Sequence, residues 1–276
     1  MHSYQTLRYL LDEGIATLTL NRPEAKNAIN LAMADELGEL LQRIRRDEGV
    51  HVLVLQGAGD AFCAGGDMRG MDATGPRAAA QIRAGMERYR RLTVELHGLN
   101  CPVIAAVDGV AYGAGFSLAL LADIVLLSER ARLSMVFQRI GLIPDCGALF
   151  TLPRAVGVQR AKELVFSARE IGPQEALAMG IAMEVLPVEA LLPRAMSLAR
   201  SFCGASEAAL AIGKQALNAS LQSDLNTMLE IEATGQAVVA GSDYLKEAAR
   251  RFVAKEPPQF RWPAATASLI RKGHDA

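Results

Sequence analysis

The stretch that decides the fold is CPVIAAVDGVAYGAGFSLALLADIVLLSE, residues 101–129. It is very apolar, yet Asp108 and Asp123 bracket only fourteen residues of it. A helix needs roughly 20 apolar residues to span lipid, and one proline and several glycines also interrupt the run. The pattern therefore predicts a buried strand, a glycine-rich turn, a short buried helix and a second strand, and no membrane segment.

Short strands and helices alternate before this stretch. Two alternating segments, TLRYLL (6–11) and IATLTL (15–20), predict a hairpin. The fully apolar VLVLQ (52–56) predicts a buried strand, and an apolar stripe predicts a helix over about 78–99. Asn30 is positioned to cap the helix that follows the hairpin. Strands that alternate with helices are typical of a mainly parallel sheet flanked by helices.

The second half of the chain has a different character. It shows helical periodicity with no further strand pattern. We therefore predict an α/β core over residues 1–200 and a helical C-terminal region over residues 201–276. The predicted helices cover 158–167, 173–179, 188–202, 206–221 and 224–254, with a break near Gly241.

Composition and charge exclude several kinds of partner. The formal net charge is -1, which provides no field for nucleic acid or acidic membranes. The start of the chain, MHSYQTLRYLLDEG, has no apolar segment after a basic one, so we expect no signal peptide and a cytoplasmic protein.

No C-x-x-C pair exists, so we expect free thiols and no metal site. The cysteines are Cys63, Cys101, Cys146 and Cys203.

Two glycine-rich corners follow two of the apolar strands. They are AFCAGGDM (61–68) and GVAYGAGFSLA (109–119). Neither has the spacing of a dinucleotide fingerprint or of a phosphate loop. Small residues at a strand-to-helix corner allow tight packing of the helix on the sheet. They also allow backbone N–H groups of two corners to converge as an oxyanion hole. Spacing alone leaves both interpretations open.

Asp145 lies in an apolar setting, within GLIPDCGA (141–148). One interpretation is that it caps a helix starting near Gly147. The other is that it is a general base whose pKa is raised by desolvation in an apolar pocket. The two interpretations are compatible, because a capping loop can still present one carboxylate oxygen to a cavity.

A serine hydrolase is an alternative interpretation. Ser117, Asp145 and His274 follow the chain order of that class, and GFSLA resembles its nucleophile elbow. The last glycine of the elbow is replaced by Ala119, however, and His274 lies in the polar tail RKGHDA. Short motifs of this kind often match by chance.

Four motifs together resemble the crotonase (enoyl-CoA hydratase/isomerase) superfamily, from about Leu18 to Pro187. The resemblance implies a spiral of ββα units forming two nearly perpendicular sheets. It also implies that the C-terminal helices build a homotrimer, often paired into a hexamer. The motifs are NRPEAKNAIN (21–30), AFCAGGDM (61–68), PVIAAVDGVAYGAGFSLALLADI (102–124) and IGLIPDCGALFTLPRAVG (140–157).

The resemblance further implies an acyl-CoA substrate, with no cofactor bound permanently. Gly66 and Ala114 match the two residues whose N–H groups hold the thioester oxygen. Phe252 and Lys255 match a C-terminal pair that often reaches CoA across a subunit boundary. The residues that match the CoA-binding segments near the N-terminus are Ala25, Lys26, Ala28, Ala64, Asp67 and Met68, the last of which we place in the substrate pocket.

The chain departs from the hydratases of this family, which use two glutamates. Ser117 and Phe137 stand at those two positions, and we expect both to line the substrate pocket. Asp145 is then the acidic group near the acyl site. GLIPDCG followed by LPR resembles the 1,2-epoxyphenylacetyl-CoA isomerase branch, and dienoyl-CoA isomerases also use an aspartate there. We therefore predict an enoyl-CoA isomerase in which Asp145 is the single acid/base.

Other members of the superfamily suggest different chemistry. A hydratase-type lyase acting on an unusual enoyl-CoA is one alternative. A dehalogenase or hydrolase with an aspartate nucleophile is another, although Arg90 and Phe137 replace the histidine and tryptophan that support that reaction. The last alternative is a CoA-binding scaffold without catalysis.

Overall fold

The computed structural model describes residues 4–69 and 78–264. The predicted hairpin is confirmed, and residues 101–129 form the predicted strand, short helix and second strand, with a three-residue strand within the predicted turn. The strands of the described ranges are β1 (Leu7–Asp12), β2 (Ile15–Leu20), β3 (Val52–Gly57), β4 (Val103–Val107), β5 (Val110–Tyr112), β6 (Ile124–Ser128), β7 (Arg132–Ser134) and β8 (Glu184–Leu186).

The helices agree with the predicted ones to within a few residues. Asn30 caps α1, since its side chain accepts a hydrogen bond from the N–H of Met33 at 2.8 Å. The break near Gly241 separates the last two helices, Leu225–Ala240 and Asp243–Val253. The α-helices are α1 (Leu31–Arg46), α2 (Ala78–His97), α3 (Ala114–Ala119), α4 (Ala148–Val156), α5 (Val158–Ser167), α6 (Pro173–Ala178), α7 (Val188–Cys203), α8 (Glu207–Ser220), α9 (Leu225–Ala240) and α10 (Asp243–Val253).

Six strands form one sheet in the order β1-β2-β3-β4-β6-β8. The β1–β2 hairpin is antiparallel, with Leu7 opposite Leu20, and every other neighbouring pair is parallel. β5 and β7 form a separate parallel pair. β5, β7 and β8 lie outside the sequence prediction, because three residues are too few to show an alternating period.

The central strands β3 and β4 of the large sheet are buried on both faces. Leu53 and Leu55 point into the main core, which α1 and α2 also line. Val52 and Val54 point to the opposite side, where α7 packs. This explains why VLVLQ is apolar at successive positions and does not alternate. None of the described helices has the length and apolar character needed to cross a membrane.

Candidate active site

The two glycine-rich corners lie side by side. The N–H of Cys63 donates to the carbonyl oxygen of Val110 at 3.0 Å, and the N–H of Tyr112 donates to that of Cys63 at 2.9 Å. A methyl group on Gly115 would lie 2.2 Å from the Cys63 carbonyl oxygen. The first corner therefore packs so closely against α3 that only glycine fits at this position.

The backbone amides of Gly66 and Ala114 have no hydrogen-bond acceptor among the described backbone carbonyls. Ile29 is hydrogen-bonded to the residues on either side of Gly66. Its N–H donates to the carbonyl oxygen of Gly65, and its carbonyl oxygen accepts the N–H of Asp67, both at 2.8 Å. In such parallel pairing, the intervening residue directs its own N–H to the other side. Ala114 is the first residue of α3, so its N–H has no intrahelical acceptor. Neither amide donates to another described residue.

Asp145 precedes α4 but does not cap it with its side chain. The N-cap residue is Gly147, and no side chain bonds to the first turn. Asp145 contributes only its backbone carbonyl, which accepts the N–H of Ala148 at 3.0 Å. The capping interpretation is therefore wrong. Two left-handed residues, Cys146 (φ 48°) and Gly147 (φ 78°), separate the carboxyl group from the helix.

Asp145 is half-buried, and its carboxyl group is incompletely hydrogen-bonded. Its Oδ1 has no hydrogen-bond partner among the described residues. Burial raises the pKa of Asp145 to about 6, against a smaller opposing effect from a hydrogen bond with Cys146. A carboxyl group that titrates close to neutral pH can both accept and return a proton.

Three other titratable groups near Asp145 stay protonated at neutral pH. Burial raises the pKa of Cys63 to about 12 and raises the pKa of Cys146 and Tyr89 as well. The negative charge of Asp145 adds to the rise at each of them. Of these four groups, only Asp145 changes its protonation state near neutral pH.

The two positions that hold glutamates in the hydratases lie close to the second corner. Ser117 is fully buried, and its Oγ donates to the carbonyl oxygen of Gly113 at 3.1 Å. A methyl group on Gly113 would lie 3.6 Å from the Phe137 ring, which is itself buried. The serine hydrolase interpretation lacks support here, because the Ser117 hydroxyl bonds to backbone. His274 lies outside the described residues.

The predicted CoA-binding segments are neighbours. Residues 23–25 form a 3₁₀ turn that ends at Lys26 in a left-handed conformation. The N–H of Ala64 donates to the carbonyl oxygen of Lys26 at 2.9 Å, and Ala28 bonds back to Ala25 at 3.0 Å. Ala25, Lys26 and Ala64 retain exposed surface, whereas Ala28 is buried.

Asp67 is held by two arginines. Its carboxylate accepts from Arg69 at 3.0 Å and from Arg22 at 2.9 Å. Hydrogen bonds from Arg69 and then from Arg22 keep the pKa of Asp67 well below its usual range. Met68, next in the chain, is about half exposed. Asp67 thus secures the corner, while Met68 is accessible to a ligand.

Sequence reasoning missed Asn27 as a residue of the site. It is fully buried, and its amide nitrogen donates to the carbonyl oxygens of Ala58 at 2.8 Å and Ala61 at 2.7 Å. Its Oδ1 accepts the N–H of Arg22 at 2.9 Å. Asn27 thereby ties the segment 21–30 to the first corner. An asparagine in a polar turn carries no sequence signal that reveals such distant partners.

The remaining predicted residues lie away from the corners or outside the described ranges. Phe252 and Lys255 are exposed at the end of α10, and their expected contact concerns a neighbouring subunit, so it stays a prediction. In the described parts of the chain, no three His, Cys, Asp or Glu side chains cluster suitably for a metal ion.

Comparisons with known proteins agree with the resemblance. The sequence model of the enoyl-CoA hydratase/isomerase family matches residues 11–263. The 1,2-epoxyphenylacetyl-CoA isomerase of Escherichia coli is 40% identical over 253 residues, covering 91% of this chain and 96% of that protein. The mitochondrial methylglutaconyl-CoA hydratase of Mus musculus is 31% identical over 262 residues, covering 92% of this chain and 82% of that protein.

Solved structures show the same fold. An enoyl-CoA hydratase/isomerase from Cupriavidus metallidurans superposes with a TM-score of 0.89 at 40% identity, covering 96% of this chain and 100% of that one. An enoyl-CoA hydratase from Bacillus anthracis superposes with a TM-score of 0.87 at 31% identity, covering 93% of this chain and 99% of that one. The predicted crotonase fold is therefore confirmed.

Proposed function

Because this chain belongs to the enoyl-CoA hydratase/isomerase family, we propose that it binds an acyl-CoA thioester and moves a double bond within the acyl group. Asp145 is the acid/base of this reaction. The amides of Gly66 and Ala114 hold the thioester oxygen. The proposal includes no permanently bound cofactor, since CoA arrives as part of the substrate.

The proposed reaction is a proton transfer that needs a single base. The Asp145 carboxylate takes a proton from carbon 2 of a 3-enoyl-CoA, and the electron pair of that C–H bond moves toward the thioester, forming a dienolate. The two amides stabilise the charge on oxygen, and one such donor typically contributes about 3–4 kcal/mol. The Asp145 carboxylic acid then returns the proton at carbon 4. The product is a 2-enoyl-CoA, and the carboxylate is regenerated.

The observation that carries the proposal is the state of the Asp145 carboxyl group. Its Oδ1 is buried without a hydrogen-bond partner among the described residues, and burial raises the pKa to about 6. A structural carboxylate is normally held by partners, as Asp67 is by Arg22 and Arg69. An unpaired acid with a pKa near neutrality is suited to proton transfer.

A hydratase is the second candidate, because relatives such as the mouse enzyme carry hydratase names. Hydration requires activation of a water molecule, which the related hydratases achieve with two glutamates. Ser117 stands at one of those positions and bonds to a backbone carbonyl. Phe137 stands at the other, and its ring cannot accept a proton. These two residues support isomerisation over hydration.

Turnover of two substrates distinguishes these candidates. We expect the protein to convert 3-hexenoyl-CoA to 2-hexenoyl-CoA and to hydrate crotonyl-CoA poorly, with products separated by chromatography. Rapid hydration without double-bond migration would assign the protein to the hydratases. The name of the Escherichia coli relative makes 1,2-epoxyphenylacetyl-CoA a further substrate to include.

Substitution of Asp145 tests its proposed role. Asp145→Asn should lower isomerisation by at least about a hundredfold, while binding of the CoA ester survives. Asp12→Asn is the matched control, because Asp12 is an exposed carboxylate in the β1–β2 hairpin. Unaltered turnover by Asp145→Asn would show that this residue is not the base.

Two further outcomes of the same experiments would point to other classes. Release of halide from a halobenzoyl-CoA, with an ester between the substrate ring and the aspartate visible by mass spectrometry, would indicate a dehalogenase. Arg90 does not support that reaction, since it is exposed and paired with Glu87 at 2.5 Å. Binding of CoA esters with none of these reactions would indicate a scaffold.

The proposal includes a homotrimer or a hexamer. Large apolar side chains are exposed on α8, α9, α10 and the turn after α8, and such surfaces commonly mark contacts between proteins. Light scattering should give three or six times the mass of one chain, and a monomer would contradict this part of the proposal. The exposed residues are Leu217, Leu221, Leu225, Leu229, Val238, Phe252 and Val253.

A further inference from the structure

Tyr89 reaches from α2 to the backbone that carries the Gly66 amide. Its hydroxyl donates to the carbonyl oxygen of Ile29 at 3.0 Å. The same oxygen accepts the N–H of Asp67 at 2.8 Å, while the N–H of Ile29 donates to Gly65 at 2.8 Å. Ile29 therefore holds both residues that flank Gly66, and Tyr89 holds Ile29.

The Tyr89 hydroxyl also lies beside Gly66 itself. A methyl group on Gly66 would lie 3.4 Å from the Tyr89 oxygen, and the Tyr89 ring packs against the main core. Burial is the largest cause that raises the pKa of Tyr89, and the negative charge of Asp145 adds to the rise. The hydroxyl therefore keeps its proton and remains a hydrogen-bond donor.

We propose that Tyr89 is a positioning residue that directs the Gly66 N–H toward the thioester oxygen of the substrate. The inference rests on the acyl-CoA site of the proposed function, but it holds whether the double bond migrates or water adds. Oxyanion donors stabilise the transition state when they are already oriented before the reaction. Without the hydroxyl, the Ile29 carbonyl loses one of its two donors, and residues 65–67 are held less firmly.

A single-atom substitution separates this role from packing. Tyr89→Phe keeps the ring and removes the hydroxyl. Tyr244→Phe is the matched control, because the Tyr244 hydroxyl also donates to a backbone carbonyl, that of Gly204 at 3.2 Å, and Tyr244 lies on α10. Infrared difference spectroscopy of bound cinnamoyl-CoA measures the thioester C=O stretch, whose frequency falls when hydrogen bonds polarise the carbonyl. Kinetics on 3-hexenoyl-CoA and crotonyl-CoA supply kcat and KM.

We expect the wild type and Tyr244→Phe to lower the C=O frequency equally, and Tyr89→Phe to lose much of that shift. In Tyr89→Phe, kcat should fall about five- to tenfold, while KM and the Kd of cinnamoyl-CoA stay within about twofold. These two results together distinguish orientation of an amide from loss of binding.

Three other results would overturn the inference. A full shift with unchanged kcat in Tyr89→Phe would show that the hydroxyl does not orient the amide, and would leave the proposed function intact. If Tyr89→Phe keeps the full C=O frequency shift but binds cinnamoyl-CoA more weakly, Tyr89 has a packing role. No shift in the wild type would contradict the acyl-CoA site itself, and with it this inference.

Discussion

Replacing Asp145 with asparagine should remove activity and make the protein more stable at neutral pH. Burial raises the pKa of Asp145 from its ordinary value of 3.8 to about 6, so the folded state disfavours the carboxylate. The rise corresponds to about 3 kcal/mol between the two protonation states. Asparagine has nearly the same shape and does not ionise, so this destabilising contribution is absent from Asp145→Asn.

The pH dependence isolates this contribution. Because the folded-state pKa is the higher one, the folded state binds more protons than the unfolded state between about pH 4 and about pH 6. The contribution of Asp145 to the free energy of unfolding is therefore most favourable below this window and is lost as the pH rises through it. Between about pH 4.5 and about pH 8, the free energy of unfolding of the wild type should fall by about 2 kcal/mol relative to that of Asp145→Asn.

Urea unfolding followed by circular dichroism at both pH values measures this difference, with the protein concentration held constant. Any pH-independent effect of the amide, such as an unpaired N–H, cancels when the two pH values are compared. Asp12→Asn is again the control, because Asp12 is exposed. The free energy of unfolding of this variant should change with pH as that of the wild type does. If the free energies of unfolding of the wild type and Asp145→Asn differ by the same amount at both pH values, the reasoning is refuted.

Three further predictions follow from the same contacts. The proposed reaction requires the base form of Asp145, so kcat/KM for 3-hexenoyl-CoA should rise up to about pH 6 and then level off; a flat profile from about pH 5 to about pH 8 contradicts this. Gly115→Ala places a methyl group 2.2 Å from the Cys63 carbonyl oxygen and should lower stability by about 1–3 kcal/mol; an unchanged Tm would refute that contact. Asn27→Ala removes the donors to two backbone carbonyls and should lower stability by about 2–4 kcal/mol while raising KM for CoA esters. If KM is unaffected, Asn27 does not support the CoA-binding segments.

Local patterns were sufficient to predict most of the regular structure. The hairpin of 6–11 and 15–20, the Asn30 cap and the buried strand at 52–56 each depend on residues within a few positions of one another, and all three are confirmed. β5 and β7 were not predictable in this way. Each is a three-residue strand whose pairing joins segments about twenty residues apart.

The sequence by itself predicted the groups of the candidate site: two glycine-rich corners, Asp145 and, through the family resemblance, no glutamate at the positions of Ser117 and Phe137. It left open whether Asp145 caps α4 with its side chain. The tertiary structure shows that it does not, and it also buries Oδ1 and raises the pKa. It alone also places Tyr89 on the carbonyl of Ile29, 60 residues away. Desolvation and long-range hydrogen bonds depend on what packs around a group in three dimensions, and neither leaves a periodic pattern in the chain.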